Sequence, residues 1–168
     1  MGVLVDDEIK IQKHNTNDGI GIDLGVKDFA ILSDNTKYKT LKQKKLNKRL
    51  KREQKALSKK YEAKRKNKKE FATYKNIGKQ ILRIQKIYQR IINIRNDYQN
   101  KIINEIIKRE PSFITIEDLN VRGMLKNRHL SKAIANQGFY QFVSKLKYKC
   151  ILNGIELRQV DRFYPSSK

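Results

Sequence analysis

The sequence predicts an α/β fold, a mixed sheet whose strands are separated by a long basic helical hairpin. Three observations predict it. Residues 19–25, Gly-Ile-Gly-Ile-Asp-Leu-Gly, alternate apolar and small or acidic side chains, the period of a strand. Composition then changes abruptly: residues 37–69 hold 17 Lys or Arg against Glu53 and Glu62. They are followed by apolar residues at helical spacing as far as residue 109. Finally, two short apolar runs, Phe113–Glu117 and Ile155–Val160, flank an amphipathic stretch at 132–152 and return the chain to strand–helix–strand.

The 168 residues suffice for one domain with an elaboration on it. Charged residues make up 33% and the net charge is +22, which implies a polyanionic partner, nucleic acid or an anionic membrane surface. There is no run of eighteen apolar residues, the N-terminus lacks the hydrophobic run of a signal peptide, and Asp6 stands where a myristoylation signal needs Ser or Thr. A membrane-surface role calls for aromatic anchors, and the chain has no Trp. Cys150 is alone, which leaves no disulfide framework and no thiolate zinc site within these residues. The composition describes a cytoplasmic protein acting on nucleic acid, with no membrane partner.

Residues 1–18 are expected to be a short strand or linker. Val3–Val5 and Glu8–Lys13 can form a hairpin around Asp6-Asp7, and His14 reads as a solvated loop residue. In the strand at 19–25, Ile20, Ile22 and Leu24 share one face, while Gly21, Asp23 and Gly25 share the other. Glycine weakens a strand interior and often marks close approach of a ligand or backbone, so a lone carboxylate in such a clearing can hold a metal ion. The plainer alternative is that Asp23 ends the strand and caps a turn, with Gly25 supplying a positive φ. Val26–Leu32 continues as the second arm of a hairpin, Ser33-Asp34-Asn35-Thr36 turns, and Tyr38–Leu41 is a third short strand.

Leu46, Leu50, Leu57 and Tyr61 recur at helical spacing, which makes the basic segment an amphipathic helix with a thin apolar stripe. An ordinary solvated helix interleaves both signs of charge. One that is nearly one-signed repels itself unless phosphates neutralise it. Lys42, Lys44, Lys45, Lys48, Arg49, Lys51, Arg52 and Lys55 are the candidate nucleic-acid contacts. Residues 71–109 form the clearest helix, roughly 55 Å long at about 1.5 Å per residue. Its seam runs Ile77, Ile81, Ile84, Tyr88, Ile91, Arg95, Tyr98, Ile102. Arg95 is either a register device or a further nucleic-acid contact. The helix is too long for a small sheet to hide, so residues 42–110 should fold as a hairpin with its turn in 58–72 and its end at Pro111.

Glu117 stands at the C-terminal end of the fourth strand, where an α/β unit places ligand residues, and Asp118 can cap the next helix. Residues 119–130 are rich in basic side chains, with Arg122 a candidate nucleic-acid contact and His129 at the surface. Residues 132–152 are amphipathic, Cys150 packs as a small apolar group, and Asn153-Gly154 ends the helix in a left-handed cap. If the strands of Asp23 and Glu117 are adjacent and parallel, the two carboxylates converge. Such a pair can share divalent cations, with Mg²⁺ (or Mn²⁺) favoured for its hard oxygen ligands. Two ions about 4 Å apart could activate water and stabilise the leaving oxygen of a phosphodiester.

Three blocks carry a resemblance: Gly21–Ala30 (GIDLGVKDFA), Ile114–Met124 (ITIEDLNVRGM) and Asp161–Lys168 (DRFYPSSK). In combination they resemble TnpB, the OrfB-type transposon-encoded proteins described as probable transposases, which are RNA-guided DNA endonucleases related to the type V CRISPR effectors. The basic helix and Ile94–Tyr98 fit the insertion between that family's first two nuclease motifs, and the likeness spans roughly residues 3–168. It implies an RNase H-like (RuvC-like) fold divided over residues 19–41 and 111–168. It also implies metal-ligand and catalytic roles for Asp23 and Glu117, and DNA and a guide RNA as partners. The family continues past Pro-Ser-Ser-Lys with a four-cysteine zinc ribbon and a third catalytic Asp, a role that Asp161 does not fill. The expectation is therefore a truncated form with little or no cleavage of its own, zinc belonging only to the missing part. The alternative is a non-catalytic DNA- or RNA-binding remnant.

Overall fold

The computed structural model describes residues 18–67 and 71–161. The expected hairpin around Asp6-Asp7, His14 and the residues after Asp161 lie outside the described residues. Two compact units emerge, Leu41–Tyr98 and a unit formed by the residues before and after it.

The second of these is built on five strands, β1 (Gly19–Leu24), β2 (Asp28–Leu32), β3 (Lys37–Lys39), β4 (Phe113–Glu117) and β5 (Glu156–Val160). Their order in the sheet is β3-β2-β1-β4-β5. β1–β2 and β2–β3 are antiparallel, whereas β1–β4 and β4–β5 are parallel. This five-stranded mixed sheet is compatible with an RNase H-like fold. One face holds the core: Ile22 and Leu24 of β1 lie in register with Leu32 and Ala30 of β2, Ile22 pairs with Ile116 of β4, and all are buried. The parallel pairs require crossovers, and helices supply them. β3 ends at Lys39, short of the expected Leu41. The turn before it is made by Asn35 at φ 67 and by the Asp34 carboxylate, which accepts from the Thr36 N–H.

Gly25 does not supply a positive φ. What it supplies is room, because a Cβ there would fall 3.0 Å from the Asp28 carbonyl. Its N–H donates to the Phe29 carbonyl and closes the β1–β2 hairpin. Phe29 is fully buried, stacked on Phe139 at 5.9 Å and edge-on to Phe142 at 5.1 Å. These two rings belong to α5 (Phe139–Leu152), which is not continuous with the residues before it. Gly138, at φ 65, separates it from α4 (Ser131–Gln137), so the amphipathic stretch at 132–152 is two helices where one was expected. Gln99 fastens this break, its amide donating to the carbonyls of Gln137 and Gly138. Gly154, at φ 67, ends α5 as expected, and Cys150 is buried at 1% exposure. Asp118 does not cap the next helix. Its N–H donates to the Val160 carbonyl, and Asn120 caps the short α3 (Val121–Leu125) instead.

The unit Leu41–Tyr98 is an antiparallel helical hairpin. Its arms are α1 (Lys44–Asn67) and the first part of α2 (Phe71–Ile107), whose remaining residues belong to the sheet unit. Lys60 reaches Asn76, Glu53 reaches Gln80 and Gln43 reaches Ile91 across it. The seam differs from the expected one. Ile77, Gln80, Ile84 and Ile87 are buried, while Ile81 is half-buried and Tyr88 is 43% exposed. Gln80 can occupy the seam because its amide nitrogen donates to the Glu53 carboxylate (2.8 Å) and backbone carbonyl (3.1 Å), while Lys60 donates to its oxygen (3.1 Å). Tyr88 stays outside, where its hydroxyl accepts from Gln54. α2 ends at Ile107, two residues before the expected stop, and Glu110 at φ 50 leads into the buried Pro111.

Candidate functional site

The face of the sheet opposite the core is where β1 presents its small and acidic residues. The parallel register pairs Gly19 with Phe113, Gly21 with Thr115 and Ile22 with Ile116, so Asp23 and Glu117 come next on neighbouring strands, at the same level and on the same face. Phe113 closes the lower end of this face. Its ring fills the space over Gly19, where a Cβ would fall 2.1 Å from ring carbons, and the Arg158 guanidinium lies 3.9 Å above the ring centroid. Gly21 is different, because a Cβ there would meet only Ser33 Cβ at 3.6 Å, an ordinary contact. Packing does not demand that glycine, and it leaves the floor bare beside Asp23. Ser33 holds the floor in place: its hydroxyl accepts from the Gly21 N–H and its own N–H donates to the Gly21 carbonyl.

Asp23, Glu117, Gly21, Thr115, Ser33 and Asp161 line one groove of about 350 Å³. Asp23 is exposed and Glu117 is half-buried, so both carboxylates open onto solvent. β5 extends the arrangement, since Val160 pairs with Glu117 and Asp161 comes directly after it. Asp161 reaches the groove rim as a consequence of the β4–β5 register, which one sequence read alone does not display. Among the described residues, no three His, Cys, Asp or Glu side chains gather closely enough to hold a metal ion together. The donor set is therefore two carboxylates with space around them. Mg²⁺ is commonly bound by one or two carboxylates while keeping water and phosphate in its remaining positions, so these residues fit it.

The basic candidates divide by position. Lys42, Lys44, Lys45, Lys48, Arg49, Lys51, Arg52 and Lys55 lie on or just before α1, all of them exposed. Arg95 is half-buried, and the side chain of Arg122 lies outside the described residues. Sequence reading missed the inward-turned Lys60 and the buried Gln80, which together with Glu53 form a polar cluster inside the hairpin. Cys150 is free and buried, and burial pushes its thiol up to about 11. No helix among the described residues is long and apolar enough to cross a membrane.

A family model described as "Probable transposase", of the OrfB type, matches residues 2–128, and a second, described as "Cas12f1-like, TNB domain", matches residues 139–168. The chain is 32% identical over 154 residues to a Streptomyces pristinaespiralis protein, covering 91% of this chain and 36% of that protein. It is 29% identical over 184 aligned residues to InsQ of Escherichia coli K12, covering 100% of this chain and 43% of that protein. Both relatives carry, provisionally, the name RNA-guided DNA endonuclease. The chain thus spans about two fifths of the length of these relatives. With the OrfB model matched across most of its residues, it belongs to the TnpB-type family of probable transposases.

Proposed function

We propose that this chain provides the acidic half of a metal-dependent nuclease centre together with a basic, sequence-tolerant nucleic-acid grip, in the service of a transposon. The observation that carries the reading is the meeting of Asp23 and Glu117 in one open groove, from adjacent parallel strands. In it, Asp23 and Glu117 hold Mg²⁺ or Mn²⁺, which supplies activation of water and charge stabilisation on a phosphodiester. The protein's own contribution is placement. Ser33 fixes the strand behind Gly21, and Gly21 keeps the floor clear so that a phosphate can approach the carboxylates. DNA as substrate and RNA as guide are proposed from the relatives' names, and the basic face of α1 supports a polyanionic partner.

Two carboxylates with no third ligand among the described residues would hold the ion loosely, and a misplacement of about 1 Å can cost on the order of a hundredfold in rate. The purified chain is therefore expected to bind nucleic acid but to cleave it weakly or not at all. The test has two arms. Mn²⁺ binding, followed by electron paramagnetic resonance, should be measurable and should weaken in Asp23→Ala and in Glu117→Ala; binding untouched by both substitutions would remove the metal assignment. Cleavage of single-stranded DNA with Mg²⁺ or Mn²⁺ should be near background, and vigorous cleavage that both substitutions abolish would show that a further ligand completes the centre. A non-catalytic nucleic-acid-binding role is the second reading. The exposed basic side chains of α1, which can bind a polyanion without any metal, favour it.

A further inference from the structure

We infer that the groove between α2 and α5 is a subsite for a single-stranded nucleic-acid segment, in which Lys145 and Lys149 receive successive phosphates and Tyr148 stacks on the base between them. This rests on the polyanionic partner of the proposed function and not on its metal. The groove, of about 290 Å³, is lined by Asn100, Ile103 and Asn104 of α2 and by Lys145, Tyr148 and Lys149 of α5. All of these residues belong to the sheet unit. Asn100 and Asn104 are one turn apart on one helix, and Lys145 and Lys149 one turn apart on the other. Each wall is thus a ladder of two like groups about 6 Å apart along its helix axis. Ile103 is buried at 2% exposure and forms the floor, whereas Tyr148 is 62% exposed and stands at the rim. One exposed tyrosine or a pair of surface lysines is ordinary by itself. Their meeting in one groove with two amides is what carries the reading.

Charge selects an anionic occupant. Among the described residues lining the groove none is acidic. The surrounding sequence is equally one-signed, with seven Lys or Arg and no Asp or Glu from Leu119 to Ile155. Lys149 lies in the last turn of α5, where the helix dipole favours a cation in any case. Lys145 is one turn earlier and half-buried, and like charges four residues apart destabilise a helix. An anion lying along both removes that repulsion. The other groups say which anion. The tyrosine ring offers a stacking face, which needs a base free of its pairing partner and so selects a single strand over a duplex. Asn100 and Asn104 offer amide donors and acceptors, the functions that a base edge presents. A carboxylate-rich peptide would satisfy the ammonium groups but leave the ring and the amide acceptors unused. The volume suits one nucleotide, at the lower end of the roughly 300–1,000 Å³ typical of ligand pockets. DNA and RNA share this chemistry.

The chain has no Trp, so Tyr148→Trp introduces the sole indole. Tyr140→Trp, at a more exposed position on the same helix but outside this groove, serves as control. Titration in EDTA with short oligothymidylate and, separately, oligouridylate should quench the emission of the Tyr148→Trp chain strongly and that of the control weakly. Quenching by either oligonucleotide supports the subsite, and the stronger of the two names its strand. Adding Lys145→Gln and Lys149→Gln to the Tyr148→Trp chain should weaken the binding that quenching reports and reduce its log–log salt slope by about 1.4, at about 0.7 per phosphate. Equal quenching at both positions, an unchanged slope in the lysine variant, or quenching by polyglutamate as strong as by the oligonucleotides would each overturn the subsite. Fluorescence anisotropy of a labelled oligonucleotide reports binding anywhere on the chain. Binding without quenching at Tyr148→Trp sinks the subsite alone, and no binding at low salt sinks the subsite together with the nucleic-acid reading. Because the titration contains no metal, loss of the Mn²⁺ assignment leaves a quenched Tyr148→Trp chain as support for the subsite.

Discussion

The acidic groove and the basic hairpin are built by opposite means. On the sheet, side chains are subtracted: Gly21 carries none where packing would allow one, and two carboxylates stand around the space this leaves. On and just before α1, side chains are added, with eight Lys or Arg between residues 42 and 55 and their charge uncompensated apart from Glu53. A site of the first kind works by position and is sensitive to single atoms. A surface of the second kind works by number, and each charge contributes a similar, salt-dependent share. The contrast therefore predicts where one substitution suffices and where several are needed.

The largest expected effect tests the claim of number. Reversing Lys44, Lys45, Lys48 and Arg49 to Glu should lower single-stranded DNA affinity by about a hundredfold or more at low salt. It should also reduce the log–log salt slope by roughly 3, at about 0.7 per lost phosphate contact. Any one of the four changed alone should move the slope by no more than about 1. An affinity equal at low and high salt, or one single change with the effect of all four, would break the comparison.

What the sequence made legible divides in the same way. Alternation in residues 19–25 gave β1 and the face on which Asp23 stands, because a strand's period leaves no freedom once the apolar set is buried. The terminal position of Glu117 was legible for the same reason. The level pairing of β1 with β4 was not, since register between strands separated by a hairpin insertion is set by contacts no local pattern records. For that reason the arrival of Asp161 at the groove went unread. The hairpin's existence was plain from charge and period, yet its seam was misplaced by one position at Gln80 and again at Ile87. Both registers satisfy a spacing of three and four. A polar side chain enters a buried seam only when distant partners satisfy it, and here Glu53 and Lys60 do so from the other helix. Gly138 looked like one residue of an amphipathic helix, and only its positive φ reveals the break.

The polar cluster gives a second, intermediate test. Glu53→Ala takes the carboxylate acceptor from the buried Gln80 amide and leaves it only the backbone carbonyl at position 53. It should destabilise the chain by about 1–3 kcal/mol, the usual cost of leaving a buried polar group unsatisfied. Gln80→Leu, which removes the buried amide itself, should cost less than Glu53→Ala. Urea denaturation followed by circular dichroism measures both. If Gln80→Leu were the more damaging of the two, the cluster would be the main support of the hairpin and not a tolerated device for its register.

The smallest effect belongs to the edge of the sheet and to high pH. Tyr38, on β3, is pushed up to about 12, first by burial and then by the neighbouring Glu105 carboxylate. An unfolded tyrosine titrates near 10, so between about pH 10 and 12 the unfolded chain loses a proton that the folded chain keeps. Tyr38 therefore contributes stability that is fully present below about pH 10 and is lost as the pH rises towards 12. Many lysines titrate in the same range and obscure the total. A difference measurement removes them, because Tyr38→Phe changes one titrating group and leaves the rest. Urea midpoints of the two proteins, compared at pH 9, 10 and 11, should show the unsubstituted chain falling faster with pH than Tyr38→Phe. Parallel curves would mean that the Tyr38 hydroxyl meets solvent as freely when folded as when unfolded, and the packing of β3 against its surroundings would have to be looser than the structure shows.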